Sequence, residues 1–357
     1  MTAKRVVVAM SGGVDSSVAA ALLKEAGYEV IGITMQIWPP DKLAFGGCCG
    51  IDAVEDAKRV AYQLGFPHYV MDFRDIFARM VIEDFCREYG AGRTPNPCIR
   101  CNQYIKFAAL LGKIGELDAN FISTGHYARI ECPPGGYRLL KAIDLSKDQS
   151  YFLYTLGQKE LPHLLLPLGD LHKTEVRKLA AKLDLPVSNK PDSQDVCFIP
   201  DDDYRPFLAG WVRLEPGDIV DTEGRVLGKH PGLARYTIGQ RQGLGLASGK
   251  RLYVLKLDAA SNRLVVGTRE QLSTDTLIAG SLSWVSGKEF DKAANITAKI
   301  RYKSPEAAAR LHLKDRIAEV KFCEPQWAVA PGQSVVFYQG DDVLGGGIIQ
   351  DAGTIAG

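Results

Sequence analysis

The sequence has almost no charge imbalance and no long apolar run, and each shortage excludes a class of protein. The formal net charge is +1 over 357 residues, so any nucleic-acid surface must be local rather than global. No apolar run approaches the roughly 18 residues that would suggest a membrane span, and no signal-peptide pattern opens the chain. We therefore expect a cytoplasmic protein with no membrane partner.

Cysteines are also scarce, and there is no internal repeat or low-complexity segment. Eight cysteines in a chain of this length are too few for a secreted disulfide scaffold. They are therefore expected to be thiols, metal ligands or catalysts.

The chain has two regions with different sequence patterns. Over roughly the first 200 residues, short β-branched runs alternate with amphipathic segments, which predicts a doubly wound parallel sheet. After Glu215, Gly and Pro turns separate short alternating strands, which is typical of all-β domains. We expect an α/β fold with an N-terminal catalytic domain over residues 1–208, a central β-rich domain over 209–275 and a C-terminal β-barrel over 276–357.

The N-terminal stretch VVVAMSGGVDSSVAAALL predicts a strand, a glycine turn and a helix. Gly12 and Gly13 let successive N–H groups point inward, and the helix that starts near Ser16 adds its dipole, so the turn forms an anion site. Ser11 adds a hydroxyl donor and Asp15 a carboxylate suited to magnesium. The lysine of a Walker loop is missing, which argues against transfer of a γ-phosphate.

Two segments carry candidate reactive cysteines. In GRTPNPCIRCNQYIKF, Cys98 and Cys101 form a C-x-x-C pair behind two prolines, and Cys197 lies in KPDSQDVCFIP. Considered alone, the C-x-x-C pair could also be half of a zinc site. Considered alone, Cys197 could also be a small hydrophobic side chain buried in the core. For the adjacent Cys48 and Cys49 we favour a structural role over sulfur relay.

Basic residues concentrate in two stretches. Between Arg225 and Lys256 there are seven Lys or Arg and no Asp or Glu, a pattern suited to a phosphate backbone. Lys299, Arg301 and Lys303 alternate, as for one face of a strand. A solvated sheet face is the alternative for both stretches.

The loop SGGVDSS resembles the PP-loop of the ATP pyrophosphatase superfamily, whose members adenylate a carbonyl oxygen and release pyrophosphate. Further motifs follow in order along nearly the whole chain, and together they resemble the bacterial tRNA-specific 2-thiouridylases. The motifs are GRTPNPCIRCNQYIKF, STGHYARI, KDQSYFLY, DSQDVCFI, TIGQRQGLG, IRYK and LGGGII.

This resemblance implies ATP and Mg²⁺ as cofactors and a set of binding residues. Those implied to bind ATP are Ala9, Met10, Ser11, Gly12, Gly13, Val14, Asp15, Ser16, Met35 and Gly125. Those implied to contact tRNA are Asn96, Pro97, His126, Lys147, Asp148, Gln149, Arg301, Tyr302 and Gln333.

The resemblance also implies thiolation of carbon 2 of the wobble uridine. Cys197 would carry sulfur from a persulfide donor protein or relay, and Cys101 would be the second nucleophile, forming a transient disulfide with Cys197. Cys98 stands where many members have aspartate, which leaves the proton-transfer role of that position open.

Three alternatives stay open. Cys98, Cys101 and Cys197 are also suited to holding an iron–sulfur cluster that performs the same thiolation. A PP-loop amidating synthetase or ligase would need no cysteine pair. A non-catalytic RNA-binding protein would use Cys98 and Cys101 for a structural metal.

Overall fold

The computed structural model describes residues 3–37, 51–192, 196–199, 203–246, 249–289 and 293–353. The predictions for Cys48 and Cys49 lie outside these residues. None of the helices within them is long and apolar enough to cross a bilayer. Three sheets organise the described chain, the first in the N-terminal part and the other two after residue 215, except for one hairpin.

The first sheet is parallel, as the sequence predicts. Its strands, in spatial order, are β3 (His68–Asp72), β2 (Glu29–Gln36), β1 (Arg5–Ala9), β4 (Phe121–Ser123) and β7 (Leu164–Leu165). The central β1 is apolar because both faces are covered, and Val6, Val7 and Val8 are fully buried. The carboxyl ends of β1, β2 and β4 therefore meet at one edge of the sheet, where the glycine loop begins.

Helices and helical turns make up much of the rest of the described chain. The α-helices are α1 (Val14–Glu25), α2 (Ile51–Leu64), α3 (Arg74–Phe77), α4 (Glu83–Gly90), α5 (Pro97–Arg100), α6 (Leu110–Ile114), α7 (Lys173–Lys182) and α8 (Tyr204–Ala209). Short 3₁₀ turns occupy Ser150–Leu153, Leu161–His163, Leu233–Arg235 and Glu270–Leu272. Two π-helical segments, Ala78–Ile82 and Cys101–Ala109, join α3 to α4 and α5 to α6. The first of these segments interrupts what would otherwise be one continuous α-helix over 74–90.

The second sheet has four strands around a small core of its own. In spatial order they are β10 (Tyr253–Asp258), β11 (Arg263–Gly267), β8 (Gly217–Val220) and β9 (Val226–His230). The alternating residues Ile219, Val254 and Leu264 are fully buried between them.

The third sheet closes into a six-stranded barrel, which confirms the predicted C-terminal β-barrel. Its strands are β12 (Ser273–Trp284), β13 (Ala293–Lys299), β14 (Ala307–Lys314), β15 (Ile317–Trp327), β16 (Ser334–Gln339) and β17 (Asp342–Ala352). The order β12-β15-β14-β13-β16-β17 closes because β17 also pairs with β12.

A hairpin from the N-terminal part extends this barrel. Strands β5 (Ala128–Glu131) and β6 (Arg138–Lys141) continue the sheet because β6 pairs antiparallel with β17. Ion pairs of Arg138 with Asp342 and of Arg129 with Asp341 reinforce the junction. The barrel is therefore fixed to the segment that directly follows β4, close to the glycine loop.

Candidate active site

The glycine loop between β1 and α1 has the predicted strand–turn–helix geometry. Gly12 has a φ of +65°, and a Cβ there would lie 2.2 Å from the carbonyl oxygen of Ala53, so only glycine fits. The Ser11 amide donates to Ser16 Oγ at 3.2 Å, and Ser16 Oγ donates to the Gly13 carbonyl at 3.3 Å. These contacts curl the backbone ahead of the helix N-terminus, which makes an amide nest for an anion.

The connection after β4 lies directly against this loop. A Cβ on Gly125 would lie 2.7 Å from the Asp15 carbonyl carbon and the Ser16 nitrogen. Tyr127 donates its hydroxyl to Asp15 Oδ1 at 2.8 Å. Met35, half-buried near the end of β2, borders the same edge of the sheet. The structure thus brings these residues together, and their contacts with a nucleotide stay predictions.

Two lysines from distant parts of the chain reach the loop, and sequence reasoning missed both. Lys173 Nζ lies 2.7 and 2.8 Å from the two carboxylate oxygens of Asp15 and 2.9 Å from Asp192 Oδ1. Lys190 Nζ donates to the Gly12 carbonyl at 2.9 Å. The two lysines are 158 and 178 residues from their partners in the loop, so no local motif connects them. Only the folded sheet places these positive charges at a loop that has no lysine of its own.

Asp192 is the centre of a charged cluster at this edge. It accepts from Lys147 Nζ at 2.8 Å and from Arg177 Nη2 at 2.6 Å, besides Lys173. Partial burial works against its ionisation, but the hydrogen bonds from Lys147 and Lys173 outweigh burial and lower the pKa of Asp192. Through Lys173, Asp192 is linked to Asp15 of the glycine loop.

The residues described here do not supply a ready metal site. Both oxygens of Asp15, the carboxylate that the sequence suggested for magnesium, accept from Lys173. No group of three or more His, Cys, Asp or Glu side chains within the described ranges is arranged to hold a metal ion. Within those ranges, neither the Mg²⁺ nor the iron–sulfur prediction finds a protein ligand set.

The C-x-x-C pair lies where a loop becomes a helix. Asn96 Oδ1 accepts from the Ile99 amide at 3.3 Å and caps α5, with Pro97 at the first helical position. Cys98 lies in this first turn, and Cys101 begins the π-helical segment. Both cysteines are partly exposed, and π-helical segments are frequent at functional sites.

The C-terminal barrel holds this cysteine loop in place. Gln333 Nε2 donates to the carbonyl oxygens of Thr94 at 3.1 Å and Pro95 at 3.3 Å. The Thr94 amide donates to the Pro331 carbonyl at 2.8 Å. Gln333, predicted from the resemblance to contact tRNA, thus supports the loop that precedes Cys98, and its contact with tRNA stays a prediction.

Cys197 lies in a short turn anchored by its neighbour. Phe198 is buried and packs edge-on against Phe77 at 5.7 Å and Phe85 at 5.2 Å between ring centroids. Cys197 itself is partly exposed, so it is not the fully buried hydrophobe of the alternative interpretation. Cys101 and Cys197 pack against the same hydrophobic core.

The N-terminal residues predicted to contact tRNA are largely engaged within the protein. His126 is buried, with Nδ1 2.7 Å from Thr124 Oγ1, and burial lowers its pKa. The Asp148 carboxylate accepts from the Ser150 amide and hydroxyl, and Gln149 Oε1 accepts from the Tyr127 amide at 3.1 Å. These bonds shape the backbone beside the charged cluster, and contacts with tRNA stay predictions.

The prediction that Lys299, Arg301 and Lys303 project from one strand face is wrong. Strand β13 ends at Lys299, and the next residues form a turn. Arg301 Nη2 donates to the Trp327 carbonyl at 2.7 Å, while the Tyr302 ring lies 4.4 Å from that of Phe152. This contact brings the turn onto the segment that follows Asp148.

The basic stretch over 225–256 is partly neutralised by acids just before it. Arg225 pairs with Asp221 and Glu223, and Lys229 pairs with Asp218. Counting charged residues between Arg225 and Lys256 did not include these acidic partners, because all three precede Arg225 in the sequence. Further along, Arg241, Lys250 and Arg251 line a cavity of about 530 Å³.

The fold and the loop define a nucleotide-binding α/β protein with two appended β domains, and the comparisons with known proteins agree. Family models match residues 4–201 (tRNA methyl transferase HUP domain), 205–268 (tRNA methyl transferase PRC-barrel domain) and 274–349 (Aminomethyltransferase beta-barrel domain). Relatives matched over nearly the full length are named tRNA-specific 2-thiouridylase MnmA. The chain belongs to this family of enzymes, as the motifs predicted.

Two relatives and one solved structure give the extent of the similarity. The Moorella thermoacetica protein is 52% identical, covering 98% of this chain and 100% of its own. The Heliobacterium modesticaldum protein is 54% identical, covering 96% and 92%. A 4-thiouridine synthetase in complex with RNA and ATP is 18% identical, covers 55% of this chain and 45% of its own, and has a TM-score of 0.34, too low to support any inference.

Proposed function

We propose that this chain is an ATP-dependent tRNA-uridine 2-sulfurtransferase that replaces the C2 oxygen of the wobble uridine with sulfur. One observation carries the proposal: an amide nest and two cysteine segments share one α/β domain, in a chain 52% identical to a protein named tRNA-specific 2-thiouridylase. Its substrates would be ATP and tRNA, with a persulfide protein as sulfur donor. These reactants belong to the cytoplasm, which is the proposed compartment.

The first step activates the uracil. Its C2 oxygen is a poor leaving group, so the oxygen attacks the α-phosphorus of ATP, and the bond between the α- and β-phosphates breaks. The electron pair leaves with pyrophosphate, and AMP becomes the leaving group on C2. The amides of Gly12 and Gly13 and the N-terminus of α1 are suited to hold the phosphates during this step.

The second step transfers sulfur. The outer sulfur of a persulfide on Cys197 attacks C2, and AMP departs with the original oxygen. The Cys101 thiolate then attacks the Cys197 Sγ, which leaves the outer sulfur on C2 and forms a Cys101–Cys197 disulfide. An external dithiol reduces this disulfide for the next cycle.

Partial exposure of both Cys101 and Cys197 supports their part in this step. Each lies on a short, partly exposed segment whose neighbouring residues are anchored, by Asn96 in one case and Phe198 in the other. No step is assigned to Cys98.

The test combines pyrophosphate release with mass analysis of the tRNA. With ATP, tRNA and a persulfide donor, the protein should release pyrophosphate and exchange one uridine oxygen for sulfur. The variant Cys197→Ser should still release pyrophosphate but incorporate no sulfur. Cys323→Ser, which changes an exposed cysteine of the barrel, should do both as the wild type does.

Three results would contradict the proposal. Production of ADP and phosphate would exclude adenylation, and a methyl group on the tRNA would favour the activity in the family-model description. Sulfur incorporation by Cys197→Ser would remove Cys197 from the mechanism.

A further inference from the structure

The cation that the glycine loop lacks in sequence is supplied by the first residue of α7. Lys173 has a side chain only 10% exposed, and its ammonium lies between Asp15 at 2.7 Å and Asp192 at 2.9 Å. Its ammonium also lies 5.7 Å from the centre of the Tyr127 ring.

Lys173 belongs to a cluster of cationic and acidic side chains beside the glycine loop. Lys147, Lys173 and Arg177 bond to the carboxylates of Asp15 and Asp192. A third carboxylate, that of Asp144, accepts from the Lys173 amide at 3.0 Å, so the anion preference of this edge comes from the amide nest. A triphosphate held in that nest would bring its negative charges to the Lys173 ammonium, which lies 2.7 Å from the loop residue Asp15.

On the basis of the proposed function, we propose that Lys173 binds the β- and γ-phosphates of ATP and stabilises pyrophosphate as it leaves. Asp15 and Asp192 hold the ammonium at the loop before nucleotide binds, because an unpaired buried charge would be costly. The flexible lysine stem lets Nζ exchange a carboxylate oxygen for a phosphate oxygen while α7 stays in place.

A purely structural role for Lys173 predicts different experimental results. Removing one partner of a buried ion pair is destabilising, so a purely structural Lys173 would show its loss in denaturant unfolding. A folded variant would then keep its inhibition by added pyrophosphate. A phosphate ligand needs the positive charge, because the charge that develops on pyrophosphate is what it stabilises.

The experiment compares Lys173→Gln with Lys178→Gln, which changes an exposed lysine on the same helix. For Lys173→Gln we expect tRNA-dependent pyrophosphate release to fall about 10²-fold. We also expect inhibition by added inorganic pyrophosphate to weaken about tenfold. Lys178→Gln should change neither quantity, and Lys173→Arg should recover part of both.

The outcomes separate this inference from the proposed function. A wild-type enzyme that releases no pyrophosphate would refute the function itself. A wild type that does, together with a folded Lys173→Gln that keeps both quantities within about twofold, would refute the role of Lys173. Lys173→Met is a second uncharged variant should the Gln variant fail to fold, and the same criteria decide its result.

Discussion

Replacing Gly125 with alanine tests how tightly the β4–β5 connection fits the glycine loop. The added Cβ would lie 2.7 Å from the Asp15 carbonyl carbon and the Ser16 nitrogen, and 3.0 Å from Asp15 Cβ. Ordinary carbon contacts are about 3.5–4.0 Å, so the loop or the connection must shift by roughly 1 Å. Overpacking of this kind costs about 1–3 kcal/mol.

Because the contacted atoms belong to the nest, the cost should appear in nucleotide binding as well as in stability. The full cost of about 1–3 kcal/mol, if all of it were borne by binding, would be a roughly 5- to 150-fold loss of ATP affinity, which is the upper limit for this substitution. Calorimetric titration with ATP measures this loss, and denaturant unfolding measures the change in stability.

Gly112→Ala is the matched control for this substitution. Gly112 lies within α6, and a Cβ there meets nothing within 4 Å. Alanine should therefore stabilise the helix by about 0.5–1 kcal/mol and leave ATP binding unchanged. A Gly125→Ala variant that binds ATP and unfolds like the wild type would refute the close packing on which the site description rests.

Two further predictions follow from the cysteine loop and the core. Gln333→Ala removes the hydrogen bonds to the carbonyls of Thr94 and Pro95, so the free energy of unfolding should fall by about 1–2 kcal/mol. Hydrogen exchange at the Thr94 amide should accelerate, and unchanged exchange would contradict the contact between the barrel and the cysteine loop. Burial raises the pKa of Cys86 to about 11, so at pH 8 only about one Cys86 thiol in a thousand is ionised. An alkylating reagent should therefore label the exposed Cys132 before Cys86. Labelling of Cys86 should become faster as the pH rises or the protein unfolds, and equal labelling of the two cysteines at pH 8 would contradict the burial of Cys86.

The sheet and the loop were predictable because their signals are local. The apolar run before Gly12 matches β1, which is buried on both faces, and the glycine pair followed at once by a helical pattern matches the start of α1. The short alternating strands after residue 215 likewise match the central sheet and the barrel. In each case a few neighbouring residues determine backbone geometry, and that is what periodicity and turn chemistry report.

The charged cluster was not predictable from local patterns. Lys173 and Lys190 lie in stretches that look like ordinary solvated residues, and their importance depends on partners more than 130 residues away. The partners of Asp192 are nearer, but Lys147 is still 45 residues away. The π-helical segment that begins at Cys101 was missed for a related reason, since an extra residue per turn leaves no simple period in a short stretch.

One turn of the barrel connects the cysteine loop to the rest of the N-terminal domain. Gln333 holds the loop before Cys98, and the next residue, Ser334, accepts at its carbonyl from the Tyr151 hydroxyl at 2.8 Å. Tyr151 is fully buried, so this second contact is as fixed as a core contact. The barrel therefore fixes the position of the cysteine loop through a turn that is itself bonded to a buried tyrosine.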